Sequence, residues 1–203
     1  EQPFVLFVSY PSAHPPFSVP EPFYRAADEL AASLPADWDR PEVAARHPAT
    51  AHLRRIMNIQ PIRDEAALRR VIAGYLALCE HLDNEIGEVL GTLDAAGLAD
   101  DTRVIYTSDH GEMGGALGLF GKACLYERSI GVPLIVAGPE VAAGARVAAP
   151  VSHVDLAPTI EDALGVAPPA ADDRPGISLF RPDAIVARDA AFAEYHAAGS
   201  RTG

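Results

Sequence analysis

Two adjacent residues with metal-binding side chains, Asp109 and His110, follow a short apolar run that we interpret as a buried strand. They offer a carboxylate oxygen and an imidazole nitrogen, a pair that suits a divalent cation. Gly111 comes next and is expected to let the backbone turn sharply. A structural interpretation stays open for the same pair: Asp109 could cap a helix or turn, and His110 could be a partly buried polar residue.

The elements that would position this pair are alternating strands and helices. Apolar residues recur at three- and four-residue steps from Leu68 to Leu93, which predicts a long amphipathic helix. We expect at least one glycine of this helix to lie where it approaches the sheet closely. The alternation indicates an α/β fold, with a mostly parallel sheet and helices on both faces. The predicted strands are 4–10, 103–107, 132–137 and 190–195, and the predicted helices are 64–97 and 154–164.

A second candidate residue, His14, lies in a proline-rich segment after the first predicted strand. The prolines from Pro11 to Pro22 exclude helix and central strand there, because proline removes a backbone donor and restricts the residue before it. Ligands of open parallel sheets bind beyond the carboxyl ends of the strands, so the segments after 4–10 and 103–107 are both candidates for a site. Residues 25–62 carry weak helical signals and several prolines, and we interpret them as an excursion over the sheet edge.

The composition excludes several classes of protein. With 16 basic and 28 acidic residues the formal charge is −12, so nucleic acid and anionic membrane surfaces are not expected partners. The content of 49% hydrophobic and 22% charged residues is typical of a globular chain, and no apolar run is long enough to span a bilayer. We expect a soluble protein, cytoplasmic or periplasmic. Cys79 and Cys124 form neither a disulfide framework nor a metal-binding pair.

Several segments carry the motifs of one known enzyme family, in the order expected for it. Together they resemble the sulfatase signature of the alkaline-phosphatase-like superfamily, over nearly the whole chain. The resemblance implies that residues 1–203 are part of one sulfatase-like catalytic domain, with an incomplete alkaline-phosphatase-like fold. The matching segments are 7–17 (FVSYPSAHPPF), 75–83, 97–102, 107–113 (TSDHGEM), 118–122 (GLFGK), 126–127, 132–136 and 152–160 (SHVDLAPTI).

The resemblance also implies an activity, the hydrolysis of small sulfate esters at one divalent cation, Ca²⁺ or Mn²⁺. On the matching motifs Asp109 and His110 would be metal ligands. His14 would contact the ester and assist proton transfer to the leaving oxygen, and Lys122 would hold the sulfuryl oxygens and the leaving group. These residue types fit the reaction, because sulfuryl transfer needs charge neutralised on the equatorial and leaving oxygens. Outside the motifs, His196 at the end of the last predicted strand is a candidate for substrate contact.

One part of the family pattern does not occur in the chain. The family's nucleophile is a cysteine or serine in a C/S-x-P/A-x-R motif, and neither Cys79 nor Cys124 has that context. In the family this motif, and the strand whose paired aspartates bind the metal, precede the position where this sequence begins. We therefore expect a fragment with little or no turnover by itself. Missing strands would leave an unpaired sheet edge and an apolar face, so self-association is also expected.

Two alternatives to a sulfatase stay open. A phosphonate or phosphate ester hydrolase of the same superfamily is one, because the Asp-His metal pair occurs in both branches. A degenerate, non-catalytic module that binds an anion is the other, because it would explain the absent nucleophile. A nucleophile motif in the preceding coding sequence would favour the enzyme over the degenerate module.

Overall fold

The computed structural model describes residues 4–30, 34–56, 60–169 and 173–194. In these residues two short strands form a two-stranded sheet. Turns of 3₁₀ helix occur at Ala99–Asp101, Ala116–Gly118 and His153–Asp155. No helix of the described ranges combines the length and apolarity that crossing a bilayer requires. The elements are α1 (Glu21–Leu30), α2 (Pro41–Ala45), α3 (Pro48–Ile56), α4 (Glu65–Ala95), β1 (Val104–Thr107), α5 (Glu127–Ile130), β2 (Leu134–Ala137), α6 (Leu156–Ala163) and α7 (Pro182–Val186).

The described chain divides into two compact units. The larger unit comprises residues 8–100 and 105–135, and the smaller unit comprises residues 4–7, 101–104 and 136–194 with the described gap. The division falls inside both strands, so each unit takes part of β1 and part of β2. The larger unit contains α1 to α5 and the loops that carry the predicted metal and ester-binding residues.

Helix α4 confirms the strongest prediction from the periodicity. Its first turn is capped by Asp64, whose carboxylate accepts a hydrogen bond of 3.0 Å from the backbone N–H of Ala66. Helix α1 packs against it. The buried residues of α4 all lie in its amino-terminal half: Leu68, Ala73, Gly74, Ala77 and Leu78.

One glycine of α4, Gly74, lies where another segment packs closely on the helix, as predicted, but that segment is a loop and not the sheet. A Cβ on Gly74 would lie 3.1 Å from the Cβ of Phe17, in the proline-rich loop. Gly87 and Gly91 have no atom within 4 Å of such a Cβ. The absence of a side chain at Gly74 therefore brings the loop that carries His14 down onto α4.

The structure corrects the prediction for the proline-rich region. Helix α1 begins at Glu21, so Pro22 lies in a helical first turn, where the missing N–H has no intrahelical partner to lose. Helices α2 and α3 begin at Pro41 and Pro48 for the same reason. The weak helical signals of residues 25–62 thus correspond to short helices that prolines initiate.

Two predicted strands are correct and two are not. Strands β1 and β2 lie inside the predicted ranges 103–107 and 132–137. Residues 4–10 and 190–194 are not paired with any described strand, and Phe7 and Phe192 are 87% and 91% exposed. Apolar composition alone indicated these two runs, whereas a strand also needs a neighbour to accept its backbone hydrogen bonds. The many-stranded parallel sheet stays a prediction.

A buried carboxylate organises the smaller unit. Asp155 is fully buried and accepts hydrogen bonds of 2.8 Å from the backbone N–H groups of Ser152 and Ile177. Both terminal nitrogens of Arg188 donate to it, at 2.6 and 2.8 Å. Burial alone would raise the pKa of Asp155, but the hydrogen bonds from Arg188 and from the two amides hold this pKa below its ordinary value. Asp155 is structural, as its position at a predicted helix start indicated.

We predict that Asp155→Asn destabilises the smaller unit by about 3–5 kcal/mol at neutral pH, because it leaves the Arg188 guanidinium without its partner. The folded-state pKa of Asp155 lies below the unfolded value, so the wild-type advantage is complete above about pH 4 and is lost as pH falls through the folded-state pKa. Urea unfolding at pH 7 and at pH 3 measures the loss of stability and its dependence on pH. The exposed Asp183→Asn on α7 is the matched control and should change little. Equal stability of Asp155→Asn and wild type at pH 7 would contradict the prediction.

Candidate functional site

The predicted metal pair directly follows β1. The backbone N–H of His110 donates to Oδ1 of Asp109 at 2.9 Å. Nδ1 of His110 lies 3.0 Å from the carbonyl oxygen of Gly111. A carbonyl can only accept, so this contact places the ring proton on Nδ1. In the neutral ring Nε2 is then the acceptor nitrogen, and it lies 3.4 Å from Oδ2 of Asp109.

This geometry fits a shared cation. Nε2 of His110 and Oδ2 of Asp109 face each other at 3.4 Å. Metal–ligand distances of about 2.0–2.6 Å would put neighbouring ligands about 3–3.5 Å apart. The carboxylate of Asp109 is 82% exposed and accessible to solvent ions. No group of three or more metal-ligating side chains occurs among the residues that the structure describes.

A second pair of predicted residues meets close to the first. Nζ of Lys122 lies 2.5 Å from Nε2 of His14, and Nδ1 of His14 lies 2.8 Å from the carbonyl oxygen of Pro15. The proline carbonyl fixes the proton on Nδ1, so the ammonium donates to Nε2. The rings of His14 and His110 are 6.1 Å apart, edge to face. The larger unit therefore brings together His14, Lys122 and the Asp109–His110 pair, as predicted.

The lysine carries a further signal that the sequence interpretation missed. Lys122 is the only lysine of the chain, among 16 basic residues, and all the others are arginine. Lysine offers a compact point charge with three rotatable donors, whereas arginine offers a planar fork. A chain that otherwise uses arginine thus has its one ammonium group beside the two histidines.

Gly111 was predicted to let the backbone turn sharply, but in the structure it has a different role. Its backbone is not in the positive-φ region. A Cβ at this position would lie 2.1 Å from the carbonyl oxygen of Arg128, and the N–H of Gly111 donates to Ser129 at 2.8 Å. The glycine therefore lets the residue after His110 pack directly on the backbone of α5.

A carboxylate that the sequence interpretation did not select closes the glycine-rich loop 111–121. Oε1 of Glu112 accepts hydrogen bonds from the backbone N–H groups of Gly114, at 3.0 Å, and Gly121, at 2.6 Å. The N–H of Met113 donates to the carbonyl of Gly121 at 2.9 Å. The sequence offered one signal for Glu112, which is that it stands at the start of a loop whose glycine N–H groups need acceptors. Buried apolar residues anchor the loop in a core: Leu53, Met113, Ala116, Leu117, Leu119 and Cys124.

Three further residues were considered in the sequence analysis: His196, Cys79 and Cys124. His196 lies outside the described residues. Burial raises the pKa of the Cys79 thiol, although a hydrogen bond with Tyr75 opposes this shift. Cys124 is buried in the core beside the loop. Neither cysteine has the electropositive, accessible setting of a nucleophilic thiol.

Comparison with known proteins decides the family. Residues 1–166 match the family model named Sulfatase. The chain belongs to the sulfatase family. It is 32% identical over 175 residues to a choline-sulfatase of Rhizobium meliloti, covering 81% of the chain and 32% of that protein. It is 36% identical over 145 residues to arylsulfatase K of Danio rerio, covering 68% of the chain and 27% of that protein.

A solved structure supports the same fold class. The phosphonate monoester hydrolase of Silicibacter pomeroyi superposes with a TM-score of 0.74 at 29% identity, covering 90% of the chain and 37% of that protein. The structural match confirms the alkaline-phosphatase-like class, and the sulfatase match confirms the resemblance found in the motifs. The chain spans about a third of the length of the curated relatives it matches.

We predict that Gly111→Ala loses at least about 3 kcal/mol of stability, because its Cβ collides with a backbone carbonyl that no rotamer change can move. Thermal and urea unfolding of the larger unit measure the loss. Gly87→Ala on α4 is the matched control. It adds the same methyl group in open space inside a helix, and should be neutral or stabilising by up to about 1 kcal/mol. A Gly111→Ala protein as stable as wild type would show that the close approach to α5 is not required.

Proposed function

We propose that the protein carrying this chain hydrolyses small sulfate esters, with Lys122 and His14 acting on the ester beside a cation held by Asp109 and His110. The contact between the single lysine and His14, next to the metal pair, is the observation that carries the proposal. The family match, together with relatives named choline-sulfatase and arylsulfatase K, supports it.

Lys122 and His14 have complementary tasks in this reaction. The ammonium of Lys122 neutralises charge on the sulfuryl oxygens and donates hydrogen bonds to them. His14 keeps its Nδ1 proton on the carbonyl of Pro15, so proton transfer runs through Nε2. When the Lys122 ammonium moves onto the sulfuryl oxygens, Nε2 of His14 takes up a proton from water and donates it to the leaving oxygen as the ester bond breaks. In the structure the Lys122 ammonium lies 2.5 Å from this Nε2 atom.

The metal-binding role rests on Asp109 and His110. Members of this superfamily use a divalent metal, and we propose Ca²⁺ or Mn²⁺ here. The imidazole nitrogen of His110 favours Mn²⁺, because Ca²⁺ takes oxygen ligands almost exclusively. When bound, the cation supplies positive charge that offsets the charge of the sulfuryl oxygens. We propose that the family nucleophile and the other metal ligands come from residues other than 1–203, because no cysteine or serine of this chain has the C/S-x-P/A-x-R context.

A phosphonate ester is the second candidate substrate. Two phosphonate monoester hydrolases superpose on the chain with TM-scores of 0.74 and 0.71. Both ester types present tetrahedral anions with charged equatorial oxygens, so the same lysine, histidine and cation suit either. The sulfatase match of the sequence and the sulfatase relatives favour sulfate as the better substrate.

We predict that the complete protein has a higher kcat/KM for 4-nitrophenyl sulfate than for 4-nitrophenyl phenylphosphonate, measured side by side with Mn²⁺ and with Ca²⁺. Lys122→Ala should lower kcat by about 10²–10³-fold, because it removes a preorganised charge, and Lys122→Arg should restore only part of the loss. Arg70→Ala, on α4, is the control for removal of a basic residue. A higher kcat/KM for the phosphonate would move the assignment to the second substrate. Turnover of neither ester would support the degenerate, anion-binding alternative.

Metal binding gives a separate prediction that does not depend on turnover. His110→Ala and Asp109→Asn should each weaken Mn²⁺ binding by at least about 100-fold, since each removes a ligand atom. Calorimetry and the electron paramagnetic resonance signal of free Mn²⁺ measure this. Asp94→Asn, at an exposed site on α4, should leave the affinity unchanged. Unchanged Mn²⁺ affinity in both site variants would remove the pair from the metal site.

A further inference from the structure

The segment between Asp109–His110 and Lys122 is rich in glycine. Four of its glycines adopt positive φ values, of 54°, 87°, 66° and 73°: Gly114, Gly115, Gly118 and Gly121. Glycine gives this freedom at an entropic cost, so the loop does not by itself hold its final residue in place. A lysine that must meet an ester oxygen to within a fraction of an ångström needs an additional constraint.

Glu112 supplies such a constraint. Its Oε1 atom accepts one hydrogen bond from Gly114, near the start of the loop, and one from Gly121, at its end. Hydrogen bonds from amides to a carboxylate are about twice as strong as those to a neutral acceptor. The backbone bond from Met113 to Gly121 runs alongside them. The end of the loop is thus bound back to its beginning by two hydrogen bonds, and the bond from Gly114 holds the same Glu112 oxygen in place.

The position of Glu112 in the chain gives this closure a consequence for the site. Glu112 lies two residues after His110, and Gly121 directly precedes Lys122. The carboxylate therefore makes a short connection between the Asp109–His110 pair and the residue before the lysine. Lys122 in turn meets His14 at 2.5 Å. Movement of Gly121 away from Glu112 would carry the ammonium away from both histidines.

We propose that Glu112 is a positioning residue: its carboxylate holds the loop end so that the Lys122 ammonium stays at the ester, beside His14. The proposal rests on the proposed function, because it assigns Glu112 a task in that reaction. Glu112 does not touch the ester in this scheme and acts only through Lys122.

Kinetics of the complete protein test the dependence on Lys122. Glu112→Ala should lower kcat/KM for 4-nitrophenyl sulfate by about 100-fold, the cost of a displacement of about 1 Å. Glu112→Gln keeps an oxygen that accepts the same two N–H groups, and should retain activity to within about tenfold of wild type. Glu88→Ala, at an exposed site on α4, is the control for loss of a glutamate and should stay within about twofold.

A double-variant cycle separates positioning from a general structural role. If Glu112 acts through Lys122, then Glu112→Ala added to Lys122→Ala should cost no more than about threefold beyond Lys122→Ala alone. A further 100-fold loss in the double variant would overturn the proposal, because Glu112 would then matter without the lysine.

Nuclear magnetic resonance gives a readout that is independent of turnover. With ¹⁵N-labelled glycine and histidine, Glu112→Gln should shift the amide protons of Gly114 and Gly121 upfield. Glu112→Ala should move the His14 ring nitrogen toward its value in Lys122→Ala. If Glu112→Ala does not fold, Glu112→Gln still tests the two amides. Unmoved glycine amides would overturn the proposal even in an active sulfatase, and moved amides with a displaced His14 signal would support it even if sulfate proved the wrong substrate.

Discussion

The site depends on how closely the backbone after β1 approaches α5. Gly111 packs against the carbonyl of Arg128 at a distance that excludes any Cβ, and its N–H is bound to Ser129. This contact fixes the backbone immediately after His110, and so constrains how the Asp109–His110 pair projects from the end of the strand. The loop that follows starts from this anchored point, and its buried core and the Glu112 carboxylate return it to the same place. The contacts of the loop core and of Glu112 therefore depend on the contact between Gly111 and α5.

The elements that local patterns determine were predicted well from the sequence. The apolar period of α4 depends on nearby residues alone, and so does the end of α6 before Gly165, whose φ is 66°. Residues 4–10 have strand composition, but their state depends on a partner that composition does not specify. Pro22 was placed outside helix because its position relative to a helix start was not visible in the sequence.

The candidate site, too, was predictable from the sequence only in part. Asp109, His110, His14 and Lys122 were selected because their residue types and motifs pointed to one chemistry, and the structure brings them together. The roles of Gly111 and Glu112 depend on contacts with α5 and with the far end of the loop, which no local pattern reports. The significance of Lys122 as the single lysine was available in the composition but needed the site to give it meaning. His196 stays a prediction, because it lies outside the described residues.

The two histidines of the site make the same contact with the neighbouring backbone but face different partners. Each ring places Nδ1 on the carbonyl of the residue that follows it, Pro15 for His14 and Gly111 for His110. In the neutral rings the tautomer is therefore set by the adjacent backbone, which makes Nε2 the acceptor nitrogen. Tertiary packing then decides what each Nε2 meets: an ammonium group for His14 and a carboxylate for His110. A lone pair facing a carboxylate favours a cation between them, whereas a lone pair facing an ammonium can exchange a proton, so the same local geometry gives the two histidines different chemistry.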